Sequence, residues 1–130
     1  MDYSNNEVPN FYSELWKKSK ILSQTKADFL ERVGLNESYF KNKKILDAGC
    51  GWGKNTLTLA SMLGAKITAI DLCDLSNVKE YTKQYKDRIT YINADLRKLP
   101  FKNNEFDFVI CEGVIHHMDE FLSAFNELRR

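Results

Sequence analysis

Apolar residues recur along the chain with two different periods, and the change from one to the other divides it. Up to Val33 they fall at Phe11, Leu15, Leu22, Phe29 and Val33, spacings of four and seven that put them on one helical face. The stripe weakens at Lys18, Ser19, Thr25 and Lys26, and Ser23 is a suitable cap, so this stretch predicts either one helix from Pro9 or two. Gly34 is a natural stop. Residues 36–43, polar apart from Tyr39 and Phe40, then read as a surface connection. Residues 1–43 therefore form an N-terminal helical segment.

Beyond Lys43 the runs shorten and alternate. Residues 44–48, 65–72, 89–93 and 106–111 predict strands. Residues 53–63 and 75–85 predict helices between them, and 119–130 a final helix with Phe121, Leu122, Phe125 and Leu128 on its buried side. Residues 96–105 lack a helical pattern, and Pro100 argues against a long helix there. The order β-α-β-α-β-loop-β-α over 44–130 implies an α/β domain, a doubly wound parallel sheet with right-handed crossovers. In such sheets ligands bind beyond the carboxyl ends of the strands, where strand order reverses.

Composition narrows the partners. Nineteen Lys and Arg face 18 Asp and Glu, for a net charge of +1 over 130 residues, which leaves no basic surface to drive nucleic-acid binding. The longest apolar stretch, around Phe106 to Met118, is broken by Asp107 and Glu112 and falls short of the ~20 residues of a spanning helix. The first residues carry an acid and no apolar core of a signal peptide. A cytoplasmic protein is expected, with Cys50, Cys73 and Cys111 as free thiols.

The ends of the predicted strands carry the chemistry. After the first comes Asp47-Ala48-Gly49-Cys50-Gly51-Trp52-Gly53-Lys54. Glycines at alternate positions let the backbone turn sharply and approach a ligand closely, and a helix start offers N–H groups to a carboxylate or phosphate. Asp71 ends the second strand, 20 residues after Gly51, the distance at which an acid reaches ribose hydroxyls in nucleotide-binding α/β folds. Asp95 follows the third strand, and Cys111-Glu112-Gly113 the fourth. A P-loop is excluded, because Ala48 stands where its first Gly belongs and Asn55 where its hydroxyl belongs. A dinucleotide fingerprint fits poorly, since Lys54 replaces its third Gly and a pyrophosphate gains nothing from Asp47.

The remaining pattern, from Ile45 to about Leu128, resembles the class I S-adenosylmethionine-dependent methyltransferases. Leu99-Pro100-Phe101 and Phe106-Asp107-Phe108-Val109-Ile110 look like their small-molecule branch. The resemblance implies a Rossmann-like fold with S-adenosyl-L-methionine as cofactor. Asp47, Gly49, Cys50 and Gly51 would hold its methionine end, with Gly53 turning the chain into the helix. Asp71 would take the ribose hydroxyls and Leu72 pack on adenine. Asp95 and the Leu96 backbone would meet the adenine edge, while Cys111 and Glu112 would lie near the sulfonium.

Other residues have plainer readings beside functional ones. His116 or His117 could serve as a general base, but adjacent residues point apart and a capping or packing role is preferred. The cysteines, at spacings of 23 and 38, match no metal-ligand pattern and read as small core residues. Phe11, Tyr12 and Trp16 either cover the ligand or simply pack, with packing preferred. Lys41, Lys43 and Lys44 read as solvated surface.

The family's sheet has seven strands, and the pattern here stops in the helix after the fourth. At ~30 residues per β-α-β unit, three more strands need on the order of 60 to 90 residues. The fourth strand would then be an open edge, predicting either a truncated chain or one completed by a partner or by self-association. Two functions follow. The first is methyl transfer to a small-molecule acceptor; the alternative is a non-catalytic cofactor-binding or scaffold module.

Overall fold

The structure, a computed structural model, describes residues 7–18 and 24–130. Two helices open the chain, α1 (Glu7–Lys18) and α2 (Lys26–Val33). Leu22, Ser23 and the Trp16 side chain lie outside the described residues. The cap of α2 is Thr25, whose Oγ1 accepts from the Asp28 N–H at 3.1 Å while its own N–H donates to Asp28 Oδ2 at 3.0 Å. This reciprocal pair satisfies two backbone donors that a helix start otherwise leaves open. Gly34, at φ 67°, ends α2 in the left-handed conformation.

The remainder alternates β1 (Lys44–Ala48), α3 (Lys54–Ala60), β2 (Lys66–Asp71), α4 (Ser76–Tyr81), β3 (Ile89–Asn93), β4 (Phe108–Ile110) and α5 (Phe121–Arg129). All strands are parallel, in the order β3-β2-β1-β4. β1 is buried on both faces, with Ile45, Leu46, Asp47 and Ala48 at most 2% exposed. Its alternation feeds two cores. Ile45 meets Phe29, Phe40, Leu59, Ile67 and Val78 beneath α2, α3 and α4. Leu46 and Ala48 meet Ile70, Leu96, Leu99, Met118 and Ala124 on the side of α5.

The fourth strand is shorter than its apolar run suggests and occupies the sheet edge. Asp107 anchors it, donating its N–H to the Lys44 carbonyl and accepting from the Lys44 N–H, both at 2.8 Å. The last helix also departs from expectation. Ala124 is fully buried, whereas Phe121, Leu122 and Phe125 are 51%, 62% and 50% exposed. Only Leu128 of the expected buried set packs against the core. The small Ala124 side chain permits close approach to the sheet, and Glu127 fixes the rotation by accepting the Leu99 N–H at 2.7 Å. A wide apolar arc on a helix does not by itself select which part faces inward. Among the described residues no helix is long and apolar enough to cross a membrane.

Candidate functional site

The segments leaving the four strands enclose a cleft of about 340 Å³. Its walls come from 49–52 after β1, 71–73 at the end of β2, Ala94 and Leu96 after β3, and 112–114 after β4. β1 and β4 are adjacent although far apart in sequence, so the cleft occupies the switch point. Pro9 and Tyr12 of α1, Lys54 and Asn55 of α3, and His117 and Met118 complete the lining.

The glycine loop is shaped by its lack of side chains. Gly49 and Cys50 donate to the Ile70 carbonyl at 2.8 and 2.9 Å, turning the chain across the end of β2. Gly49, Gly51 and Gly53 all adopt positive φ, at 76°, 53° and 100°, a region that costs other residues steric strain. A Cβ on Gly49 would lie 2.3 Å from Val114 Cγ2, and one on Gly53 2.5 Å from Val78 Cγ2. The first glycine thus admits the segment after β4, and the second lets the start of α3 reach α4.

The four strand-end acids occupy different environments. Asp71 lines the cleft, and its two oxygens accept the N–H groups of Gly51 at 2.8 Å and Cys73 at 2.9 Å. It therefore braces two of the loops that form the walls. Glu112 also lines the cleft, its Oε2 accepting from Asn55 Nδ2 at 2.8 Å and from the Arg32 guanidinium at 3.1 Å. Burial raises the Glu112 pKa, but the Asn55 hydrogen bond and the Arg32 and Lys54 charges outweigh it and hold the carboxyl below its ordinary value. Asp47 does not line the cleft. It is 2% exposed beneath the loop, with Thr56 donating to it at 2.6 Å. Burial, opposed by that bond and reinforced by Asp71 and Glu112, pushes its pKa up to about 6. Asp95 is also off the cleft wall. Arg97 grips both its oxygens, at 2.7 Å in the closest contact, and these hydrogen bonds lower its pKa.

Gly49, Cys50, Gly51, Leu72 and Leu96 line the cleft, while Gly53 and Cys111 do not. The Cys50 and Cys73 thiols are buried, and burial pushes their pKa values upward, for Cys73 to about 12. Burial likewise raises Cys111 to about 11. All three are held as neutral thiols. Among the described residues no group of three metal-ligating side chains converges. The two histidines separate: His117 lines the cleft and His116 does not. Tyr12, against the packing expectation, also faces the cleft, its ring centroid 6.2 Å from that of His117, while Phe11 packs edge-on against it and is 51% exposed.

Comparison with known proteins gives this geometry a lineage. Residues 46–130 match a family described as a methyltransferase domain. The chain belongs to this methyltransferase family. An uncharacterized protein of Methanocaldococcus jannaschii is 34% identical over 134 residues, spanning 95% of this chain and 55% of the relative. Demethylmenaquinone methyltransferase of Staphylococcus epidermidis is 32% identical, over 69% of this chain and 39% of its own length. A solved S-adenosylmethionine-dependent methyltransferase of Aquifex aeolicus shares the fold, with a TM-score of 0.71 at 23% identity, across 94% of this chain and 65% of that one. The chain thus spans about half or less of these curated relatives.

Within the methyltransferase fold, several wall residues escape sequence reading. Pro9, Val114 and Met118 carry no spacing motif, and only the folding of α1 and the segment after β4 brings them to the cleft. Lys54 follows the glycine loop directly, so its position was the one available signal.

Proposed function

We propose that this chain carries the cofactor-binding part of an S-adenosylmethionine-dependent methyltransferase that alkylates a small-molecule acceptor. The observation that carries the reading is Asp71, held at the cleft by the glycine-loop N–H of Gly51. Each carboxylate oxygen offers about two acceptor sites, so Asp71 can brace the loops and still receive ribose hydroxyls. The wall chemistry supports the same cofactor. Lys54 is the single Lys or Arg among the lining residues, against the carboxylates Asp71 and Glu112. That balance disfavours a pyrophosphate and suits a cofactor without phosphates.

When bound, the cofactor supplies a methyl group on a sulfonium sulfur. The chain's own residues bind and orient. Leu72, Ala94 and Leu96 offer an apolar surface for a purine, and the Leu96 backbone is assigned to its edge. Gly49, Cys50 and Gly51 admit the methionine end, with Lys54 beside its carboxylate. Glu112, following β4, is assigned to the sulfonium side, and Cys111 lies behind the cleft wall. Asp47 supports the loop from below through Thr56, and Asp95, bound to Arg97, shapes the turn after β3.

Calorimetric titration with S-adenosylhomocysteine tests the reading. The chain should bind, and Asp71→Ala should weaken binding by ~1 to 3 kcal/mol as hydrogen bonds to a charged group are lost. Unchanged affinity in Asp71→Ala would remove Asp71 from the site. No binding by the unmodified chain would overturn the cofactor assignment, and binding of a nicotinamide dinucleotide instead would replace it.

A further inference from the structure

The cofactor assignment uses the glycine-loop side of the cleft and leaves a second wall, formed by Pro9, Tyr12, Val114, His117 and Met118. We propose that this wall is the acceptor subsite, that it takes an uncharged planar aromatic bearing a hydroxyl, a phenol or hydroquinone, and that His117 receives the hydroxyl hydrogen bond. The proposal rests on the methyltransferase reading above and goes beyond it by naming the acceptor class and its partner.

Most titratable groups of the cleft are already committed. Asp71 holds two backbone N–H groups, and its remaining acceptor sites are assigned above to the ribose hydroxyls. Glu112 accepts from Asn55 and Arg32 through Oε2, and its carboxylate is assigned above to the sulfonium side. The Cys50 and Cys73 thiols are buried and stay protonated, and Lys54 is a cation that only donates. His117 is different. Among the described residues its ring makes contacts with aromatic neighbours, Tyr12 at 6.2 Å and His116 at 3.8 Å between centroids, and its nitrogens make no hydrogen bond. A neutral imidazole nitrogen can accept a hydrogen bond from a hydroxyl.

The wall's composition specifies the rest of the acceptor. None of its five residues carries a permanent charge, so a carboxylate or ammonium on the acceptor would lose hydration without gaining a partner. The Tyr12 and His117 rings, tilted by 50°, present faces and edges suited to offset or edge-on contact with another ring. Phe11 packs edge-on behind Tyr12 at 5.4 Å and supports it.

The test uses the full chain saturated with S-adenosylhomocysteine and follows its ring-proton NMR signals during titration. The chain has two histidines, so a His116→Asn variant assigns both. Hydroquinone should shift the His117 signals saturably and bind about fivefold tighter than 1,4-dimethoxybenzene, which cannot donate a hydrogen bond. 4-Hydroxybenzoate should bind more weakly than hydroquinone. His117→Phe, at an exposed position that the fold tolerates, should retain S-adenosylhomocysteine affinity and lose the preference for hydroquinone. Tyr12→Ala should weaken hydroquinone and dimethoxybenzene alike. If S-adenosylhomocysteine binds but hydroquinone moves neither His117 nor its neighbours, or if the preference survives in His117→Phe, the acceptor proposal is overturned. If S-adenosylhomocysteine itself does not bind, the underlying cofactor reading has failed.

Discussion

Asp47 combines a short hydrogen bond from Thr56 with nearly complete burial, and its carboxyl titrates near pH 6. An unfolded chain would release that proton near pH 3.9. The folded state therefore favours the protonated form. Asp47's contribution to stability is fully present below about pH 3.9 and is lost as the pH rises through about 6, a change of roughly 2 to 3 kcal/mol. Asp47→Asn keeps an acceptor for Thr56 and removes the charge. In thermal melts its advantage over the native chain should grow between about pH 4 and 6.5 and then level off. A difference independent of pH would show that Asp47 does not titrate there. At this scale the sequence disclosed that Asp47 lies near the end of β1 but not its environment, because burial of Asp47 depends on α3 bringing Thr56 across the strand.

Among the elements, α2 links stability to the site. Its cap, Thr25, fixes the helix start, and Arg32 in its last turn reaches Glu112 on the cleft wall at 3.1 Å. Gln24 ties the same helix to α3 through Thr58 at 3.0 Å. The Arg32–Glu112 pair is about 40% exposed on both sides, so it positions Glu112 more than it stabilises the fold. Thr25→Ala should cost about 1 kcal/mol, read as a fall in melting temperature of about 3 to 6 °C. An unchanged melting temperature would mean that α2 docking does not depend on its cap. Strand positions were legible because β1 and β3 end where their apolar runs end. The orientation of α5 was not legible. Periodicity weights Phe121 and Phe125 above Ala124, whereas packing distance rewards the smaller residue.

For the whole molecule, the open side of β4 and the exposed Phe121, Leu122 and Phe125 decide its behaviour in solution. β4 pairs with β1 alone, Val109 is 37% exposed, and no described element covers the far edge. An unpaired strand beside apolar side chains favours association. Light scattering on the 130-residue chain should give a mean mass that rises with concentration; a monodisperse, cooperatively unfolding monomer would contradict this. The sequence alone determined the α/β class, the parallel order of elements, the glycine loop and the placing of acids at strand ends. These follow from local periodicity and from backbone conformations that only particular residues adopt. Tertiary structure alone decided that Asp71 and Glu112 line the cleft while Asp47 and Asp95 do not, and that His117 rather than His116 meets Tyr12 there. Those outcomes depend on contacts between residues far apart in the chain, such as Arg32 with Glu112 and Tyr12 with His117, and no local pattern encodes which distant side chain will supply the partner.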